Sequence, residues 1–227
     1  MYQEVTSGIH ECLYEVRNAG VRFSCRSTAV TMSSGDVWLH SPGPLDDESA
    51  AALETHGPVR HIVAPNCFHH LFARRAKERF PEATLWAPQA LHLKKPDAGF
   101  DATLEDAQHV FEPEFDQVIV QASPKMAEAV FFHRASGTLI ATDLVLNLNR
   151  VDHWWTRMFL KTFRAYPGLK QSRLWRSMTR DREAVKSAVD RILQWPIERI
   201  VMAHGDIIEG AGCDEQLADA LSWMRQG

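Results

Sequence analysis

The stretch HIVAPNCFHHLF, residues 61–72, joins a short run of β-branched residues to a pair of adjacent histidines. The apolar run is bounded by proline, as is typical of a strand that is buried on both faces. From residue 69 to residue 80, apolar side chains recur at helical spacing. Residues 66–70 therefore form the turn from a buried strand to a helix. Because this turn contains a cysteine and two histidines, it is a candidate for a metal site, a nucleophile site or an ordinary helix start.

Strand and helix patterns alternate on both sides of this stretch. The first forty residues alternate apolar and polar positions and predict an antiparallel meander. Asp46 and Asp47 head a predicted helix, and Asp181 is the expected N-cap of a later amphipathic helix. Further strands are predicted at ATLWAP, QVIVQAS, AVFFH, TLIATDLVL and IERIVMAHGD, and a closing helix at CDEQLADALSWM. This order indicates the α/β class.

Two of these strands share a sequence pattern. PVRHIVAPN (58–66) and PIERIVMAH (196–204) align without a gap, and the alignment sets Asn66 opposite His204. Each segment enters a buried strand at a proline and leaves it at a polar side chain that can bind a ligand. Because open sheets flanked by helices place their sites at such strand ends, we expect the functional site there.

Length and composition predict one globular domain over residues 1–227, since 45% of the residues are apolar and 24% are charged. No run approaches the roughly 18 uncharged apolar residues of a membrane-spanning helix, and the first residues lack the pattern of a signal peptide. We therefore expect a cytoplasmic protein without a transmembrane segment. Four cysteines stand far apart without a CxxC pair, so reduced thiols are expected rather than disulfides or a zinc cage.

The segment 150–182 is basic and aromatic. It contains nine Lys or Arg residues and two Asp residues, a charge of +7 in a chain whose total is −4. Aromatic residues recur in it at helical spacing, at Trp155, Phe159, Phe163 and Tyr166. Such a stripe is most typical of a core or a subunit interface, here a homodimer contact, and a lid over the site is the second interpretation. The charge suits an anionic small-molecule substrate, whereas the negative total disfavours nucleic acid as a partner.

Side chains that can bind a metal follow three of the predicted strands: His69 and His70, then Asp143 in TLIATDLVL, then His204 in VMAHGD. Imidazole nitrogens and one carboxylate oxygen suit zinc or iron, and three protein ligands with an open position are typical of a catalytic metal. Such a metal would lower the pKa of a bound water to about 7. Each of these residues taken alone is more typical of a hydrogen-bonded structural group or a turn.

In this order of segments the sequence resembles the metallo-β-lactamase superfamily, and within it a branch of metallo-hydrolase-like proteins of unassigned function. The resemblance covers nearly the whole chain. It implies a four-layer αββα sandwich with a mononuclear or dinuclear metal centre at one edge of the two sheets. It also implies that Asp143 matches the acidic ligand that bridges the two metals, and that His204 matches the last histidine ligand.

The metal motif departs from the pattern of that superfamily. The usual HxHxDH signature is replaced by Asn66-Cys67-Phe68-His69-His70-Leu71, and a later histidine turn reads Ser123-Pro124-Lys125. Asn66 and Lys125 thus stand where histidines are usual, and a protonated lysine has no lone pair for a metal. The first metal position is therefore lost. The remaining set, His69 or His70 with Asp143 and His204, can hold one zinc or iron ion.

We interpret the chain as a mononuclear metal-dependent hydrolase that acts on a small ester, amide or phosphoester. Asp143 and His70 are the expected catalytic groups, together with Lys125, whose ammonium would stabilise developing negative charge. His40 at an early strand end is a candidate to lie beside the site. The choice between His69 and His70 as the metal ligand stays open at this point.

Two alternatives use the same residues differently. In the first, the metal site has decayed, Lys125 forms an ion pair with Asp143, and the chain is a non-catalytic member of the fold that binds a ligand or a partner. In the second, Cys67 is a nucleophile whose thiol pKa is lowered by a neighbouring imidazolium and a helix N-terminus.

Overall fold

Two β-sheets face each other in the computed structural model of the chain, which describes residues 1–18, 20–112 and 114–226 and all of their side chains except that of Asn18. The first sheet has the strand order β1-β2-β3-β4-β5-β6-β7. Strands β1 to β4 pair antiparallel, as the alternating pattern predicts, and β4 to β7 pair parallel. Its strands are β1 (Gln3–Thr6), β2 (Ile9–Asn18), β3 (Val21–Thr31), β4 (Val37–His40), β5 (Val59–Val63), β6 (Thr84–Ala87) and β7 (Ala102–Thr103).

The second sheet has the strand order β14-β13-β10-β9-β8. Strands β9 and β10 form the predicted hairpin, and β10 pairs in parallel with β13. Its strands are β8 (Phe115–Ser123), β9 (Met126–His133), β10 (Thr138–Ile140), β13 (Arg199–Val201) and β14 (Ile208–Glu209). A separate two-stranded ribbon consists of β11 (Leu146–Leu148) and β12 (Gly168–Lys170).

Helices cover the outer faces of both sheets, and two of the predicted N-caps are confirmed. Asp46 accepts a hydrogen bond from the backbone N–H of Ser49 at 2.8 Å, and Asp181 accepts one from Ala184 at 2.9 Å. None of the helices in the described part of the chain is long and apolar enough to cross a membrane. The helices are α1 (Asp47–Glu54), α2 (Ala73–Arg79), α3 (Gln89–Lys94), α4 (Gln108–Phe111), α5 (Trp154–Thr162), α6 (Arg173–Met178), α7 (Arg182–Ile192), α8 (Cys213–Ala220) and α9 (Ser222–Arg225).

The side chains of each central strand alternate between two hydrophobic layers. In the first sheet, Leu39 and Ile62 pack in the layer that contains residues of helix α1, while Trp38 and Val63 pack between the sheets. In the second sheet, Leu139 and Ile200 share a layer with residues of α7, while Ile140 and Val201 also lie between the sheets. These four strands are thus buried on both faces, and the four layers form the αββα sandwich that was expected.

The turn after β5 is longer than the helical spacing predicts, because α2 begins at Ala73 rather than at the histidine pair. The side-chain oxygen of Asn66 accepts hydrogen bonds from the backbone N–H groups of Phe68 and His69, each at 2.8 Å. An asparagine that binds its own backbone in this way competes with helix formation. The turn therefore keeps both histidines outside the helix and fixes the backbone at His69.

His40 lies in the core between the sheets, where its ring stacks on that of Trp38 with the centroids 5.2 Å apart. Burial, with a smaller contribution from the nearby His69, lowers the pKa of His40 to about 3. The unfolded chain takes up a proton at this histidine near pH 6.5, whereas the folded chain does not. Stability is therefore retained above that pH and lost as the pH falls below it, by about 1.4 kcal/mol per pH unit from this group.

We expect His40→Phe to weaken this acid sensitivity. Between pH 6.5 and 4.5 the free energy of unfolding in urea should fall by about 2 kcal/mol less in the variant than in the unchanged chain. The comparison uses the difference between two pH values, so a constant packing cost of the larger ring cancels. Equal losses in the two proteins would show that His40 is protonated in the folded state.

Candidate metal centre

Three of the predicted site residues converge at one edge of the two sheets. His69 lies in the turn after β5, Asp143 follows β10, and His204 follows β13. Their candidate ligand atoms all lie within 4.8 Å of one another. The two Nε2 atoms are 3.2 Å apart, and each lies 3.4 Å from a different oxygen of the Asp143 carboxylate. One carboxylate therefore faces two imidazoles, as a shared cation requires.

The outer nitrogen of each histidine is held by a hydrogen bond. Nδ1 of His204 donates to the backbone carbonyl of Ser24 at 2.8 Å, and Nδ1 of His69 lies 2.8 Å from Oγ of Ser41. Ser41 has a φ of 50°, which is uncommon for a residue other than glycine. Such outer bonds fix the ring orientation of metal-binding histidines and leave Nε2 for the ion. Two imidazole nitrogens and a carboxylate therefore fit zinc or iron.

The charges of the cluster depend on each other. Burial opposes ionisation of Asp143, but the neighbouring His69 and His204 hold the pKa of its carboxyl well below the ordinary value. Burial likewise disfavours a charged His204, yet its hydrogen bond to Asp143 prevails and raises the pKa of His204 to about 10. Without a metal, a proton on His204 balances the carboxylate. Metal binding must therefore displace this proton.

A buried carboxylate that the sequence analysis missed supports the loop of Asp143. Glu128 in β9 is fully buried and accepts hydrogen bonds from the backbone N–H groups of Thr142, Asp143 and Leu144 at 2.7, 3.0 and 3.1 Å. Burial, followed by the charge of Asp143, raises the pKa of Glu128 to about 7. The available signal was a lone glutamate inside the otherwise apolar strand MAEAVFFH.

Asn66 connects this carboxylate to the metal cluster. Its Nδ2 lies 3.0 Å from a carboxylate oxygen of Glu128, 2.8 Å from Oγ1 of Thr142 and 2.8 Å from Oδ2 of Asp143. Asn66 therefore occupies the end of β5 as a structural donor, while His204 occupies the matching end of β13. The polar side chains that follow the two aligned strands, Asn66 and His204, thus contact different carboxylate oxygens of Asp143.

Arg26 of β3, which the sequence analysis also missed, fixes the loop of His204. This buried guanidinium forms an ion pair with Glu11 and donates to the backbone carbonyls of Met202 and, at 2.9 Å, Gly205. Gly205 has a φ of +94°, and a Cβ atom there would lie 1.9 Å from the carbonyl oxygen of Asn147. Only glycine fits this close approach.

His70 lies next to the metal cluster but is not one of the three residues whose candidate ligand atoms converge. Its ring lines the same cavity as the three convergent residues. Burial, followed by the charges of Lys95 and Lys94, lowers the pKa of His70, so its imidazole is neutral. Its Nδ1 is buried and has no hydrogen-bond partner among the described residues. Of the adjacent histidines, it is thus His69 whose nitrogen converges with Asp143 and His204.

Lys125 and Cys67 do not have the environments that were expected. Lys125 lies in the exposed turn between β8 and β9, and no ion pair joins it to Asp143 or to another carboxylate of the described chain. The ion pair of the decayed-site hypothesis is therefore not formed, because Asp143 faces two histidines instead. The thiol of Cys67 donates to the carbonyl of Lys125 at 3.0 Å, and burial raises its pKa. A raised pKa opposes the activated thiolate of the nucleophile hypothesis.

A cavity of about 360 Å³ opens onto the cluster. Helices α5 and α6 of the segment 150–182 form part of its wall, so part of their aromatic face covers this cavity, as the lid interpretation predicts. The homodimer contact stays a prediction. Among the described residues that line the cavity there is no lysine or arginine. The apolar part of the lining includes Val16, Phe23, Phe68, Leu71, Phe72, Leu146, Phe159, Leu160, Phe163, Trp175 and Met178.

Solved structures with the same fold include metallo-β-lactamases. The enzyme from Pontibacter korlensis is 12% identical, with a TM-score of 0.61 over 100% of this chain and 99% of its own. The one from Erythrobacter litoralis is also 12% identical, with a TM-score of 0.61 over 98% of this chain and 92% of its own. FIM-1 from Pseudomonas aeruginosa in its mono-zinc form is 16% identical, with a TM-score of 0.60 over 100% and 96%. At these identities the likeness shows the fold alone.

At the level of sequence the chain matches a family model, whereas no curated protein matches it. A family model described as "Domain of unknown function (DUF4336)" matches residues 11–153. This range holds His69 and Asp143 and ends before His204. Because the match spans well over half of the sequence, the chain belongs to the DUF4336 family, and it has the metallo-β-lactamase fold.

Proposed function

We propose that the chain is a metal-dependent hydrolase that binds one zinc or iron ion through His69, Asp143 and His204. The observation that carries this proposal is the convergence of two imidazole nitrogens and an ionised carboxylate within 4.8 Å at a cavity. The outer hydrogen bonds of both histidines support it, since they leave Nε2 for an ion. A neighbour of the same fold, FIM-1, is described in a mono-zinc form.

The roles of the residues follow from their environments. A bound ion would polarise a substrate oxygen and lower the pKa of a water molecule. Asp143 holds the ion and orients both histidines. His70 lines the cavity and its lowered pKa leaves the imidazole neutral, so it is the group proposed to accept a proton from the attacking water. A charge-stabilising role for Lys125 stays a prediction, since its side chain is exposed.

The cavity also supports a narrower substrate class. Its described lining has no basic side chain, and most of it is aliphatic or aromatic. Such a wall favours an uncharged, apolar group next to the scissile bond. We therefore propose that the substrate is an ester or amide with an apolar acyl or aryl substituent. A phosphoester or another anionic substrate fits this lining less well, because the lining has no basic side chain.

Metal content and hydrolysis test this function together. Protein purified without chelator should contain close to one zinc or iron ion per chain, and it should hydrolyse a nitrophenyl hexanoate faster than a nitrophenyl acetate. Chelation should abolish the hydrolysis of both esters, and added zinc or iron should restore it. A metal-free protein whose free energy of unfolding does not change with added zinc would instead support the non-catalytic, ligand-binding alternative.

Three further statements remain predictions from the sequence. We expect residues 1–227 to form one domain, the protein to be cytoplasmic, and a homodimer to use the helices of the segment 150–182. The exposed Trp154 and Trp155 at the start of α5 are compatible with such a contact.

A further inference from the structure

A second cavity, of about 640 Å³, lies against the same segment of chain that walls the first. Neighbouring residues divide between the two spaces: Leu160 and Phe163 line the first cavity, and Lys161 and Arg164 line the second. Ser172 lines both. The other side of the second cavity is formed by α8 and α9, through residues such as Asp219 and Trp223. The apolar face of the segment 150–182 therefore lines the first cavity, and its basic face lines the second.

The second cavity is strongly positive. Five basic side chains and one carboxylate line it, a formal charge of +4 in a chain whose total charge is −4. None of the five forms an ion pair with a carboxylate in the part of the chain that the structure describes. The basic residues are Lys161, Arg164, Lys170, Arg173 and Arg176. Because like charges repel, such a cluster favours an anion that bridges several of them.

The backbone at this cavity supports a binding role. Arg164 has a φ of 51°, a left-handed conformation that residues other than glycine rarely adopt. Ser41, which holds His69 in the metal cluster, has the other such angle among the described residues. Uncommon backbone angles of this kind concentrate at functional sites.

The size and the aromatic content of the cavity narrow the ligand. A volume of this order suits a small molecule. Tyr166 and Trp223 contribute flat rings to the lining, and the guanidinium of Arg176 lies 5.3 Å from the ring centroid of Trp223. Guanidinium groups bind phosphate through paired hydrogen bonds, and an aromatic face can stack on a base.

We propose that this cavity binds a small molecule with two or more phosphate groups. A nucleoside triphosphate and an inorganic polyphosphate share this chemistry. They differ in that only the nucleoside triphosphate has a base that could stack on the ring of Trp223. The proposal is independent of hydrolysis at the metal cluster, because none of the three convergent residues lines the basic cavity.

Isothermal titration of the chelator-treated full chain with tripolyphosphate, ATP and adenosine tests the proposal. Tripolyphosphate and ATP should bind, more weakly as sodium chloride is raised, and adenosine should not. The double variant Lys170→Gln, Arg173→Gln should lower the affinity for tripolyphosphate at least about tenfold. The matched control is Arg157→Gln, an exposed arginine of α5 outside the cavity lining, which should change the affinity less than about twofold.

A second variant separates the two ligand sources. Trp223→Leu should weaken ATP and spare tripolyphosphate if a base stacks on the indole, and it should spare both if the phosphates alone are recognised. The absence of binding by either anion would overturn the proposal. So would an equal loss of affinity in the double variant and in Arg157→Gln, or binding of single-stranded DNA or anionic vesicles in place of both small anions.

Discussion

Replacing Asp143 by asparagine is expected to remove the metal ion from the chain and to lower kcat/KM for an apolar ester at least about a thousandfold. The carboxylate lies 3.4 Å from Nε2 of both His69 and His204, and its pKa is held well below the ordinary value. Asparagine keeps the shape and one carbonyl oxygen but loses the negative charge. The remaining donors are two neutral imidazoles, too few for a stable zinc or iron site.

Asp206→Asn is the matched control for this variant. Asp206 lies two residues beyond His204, is exposed, and accepts a hydrogen bond from Asn149 at 2.9 Å without touching the cluster. It should keep close to one ion per chain and the rate of the unchanged protein. Elemental analysis and initial rates measure both quantities. Full metal content in Asp143→Asn would remove that aspartate from the ligand set and refute the proposed centre.

The strand ends could be predicted from the sequence because their signals are local. HIVAP and ERIVMA read as buried strands, and each is followed by a polar side chain, so Asn66 and His204 had to lie at a sheet edge. The convergence of His204 with Asp143 was implied only by the resemblance to the metallo-β-lactamase superfamily. In the structure it results from the parallel pairing of β10 with β13, which no single segment specifies.

The choice between His69 and His70 depends on contacts that no local pattern contains. Adjacent side chains point in different directions, and the turn that sets those directions is built by the side chain of Asn66. That side chain is itself held by Glu128, sixty-two positions later. A preference for either histidine therefore could not be derived from the spacing of residues 66–72.

The environments of Lys125 and of the segment 150–182 also depend on contacts that no local sequence pattern contains. The resemblance set Lys125 at a histidine position, but β8 and β9 leave it in an exposed turn. The aromatic stripe predicted that one face of α5 is covered, yet periodicity does not say what covers it. A stripe against a cavity and a stripe against a second subunit have the same pattern in sequence.

Glu128→Ala is expected to lower the free energy of unfolding at pH 8 by about 4 kcal/mol or more. At this pH the carboxylate is ionised, since its pKa is raised to about 7. Its removal leaves the backbone N–H groups of residues 142–144 without an acceptor, and each unsatisfied buried donor costs about 1–3 kcal/mol. Relief of the repulsion between Glu128 and Asp143 offsets part of this loss.

Glu114→Ala is the matched control, since Glu114 is also buried but accepts one backbone N–H, that of Ser33, at 2.8 Å. Its cost in urea unfolding should be about 1–3 kcal/mol, and its metal content should not change. Glu128→Ala should in addition weaken metal binding about 10- to 100-fold, because the loop that presents Asp143 loses its support. Equal losses of stability in the two variants would mean that water replaces the carboxylate of Glu128 as the acceptor of the three N–H groups. The buried glutamate would then have no special role in the site.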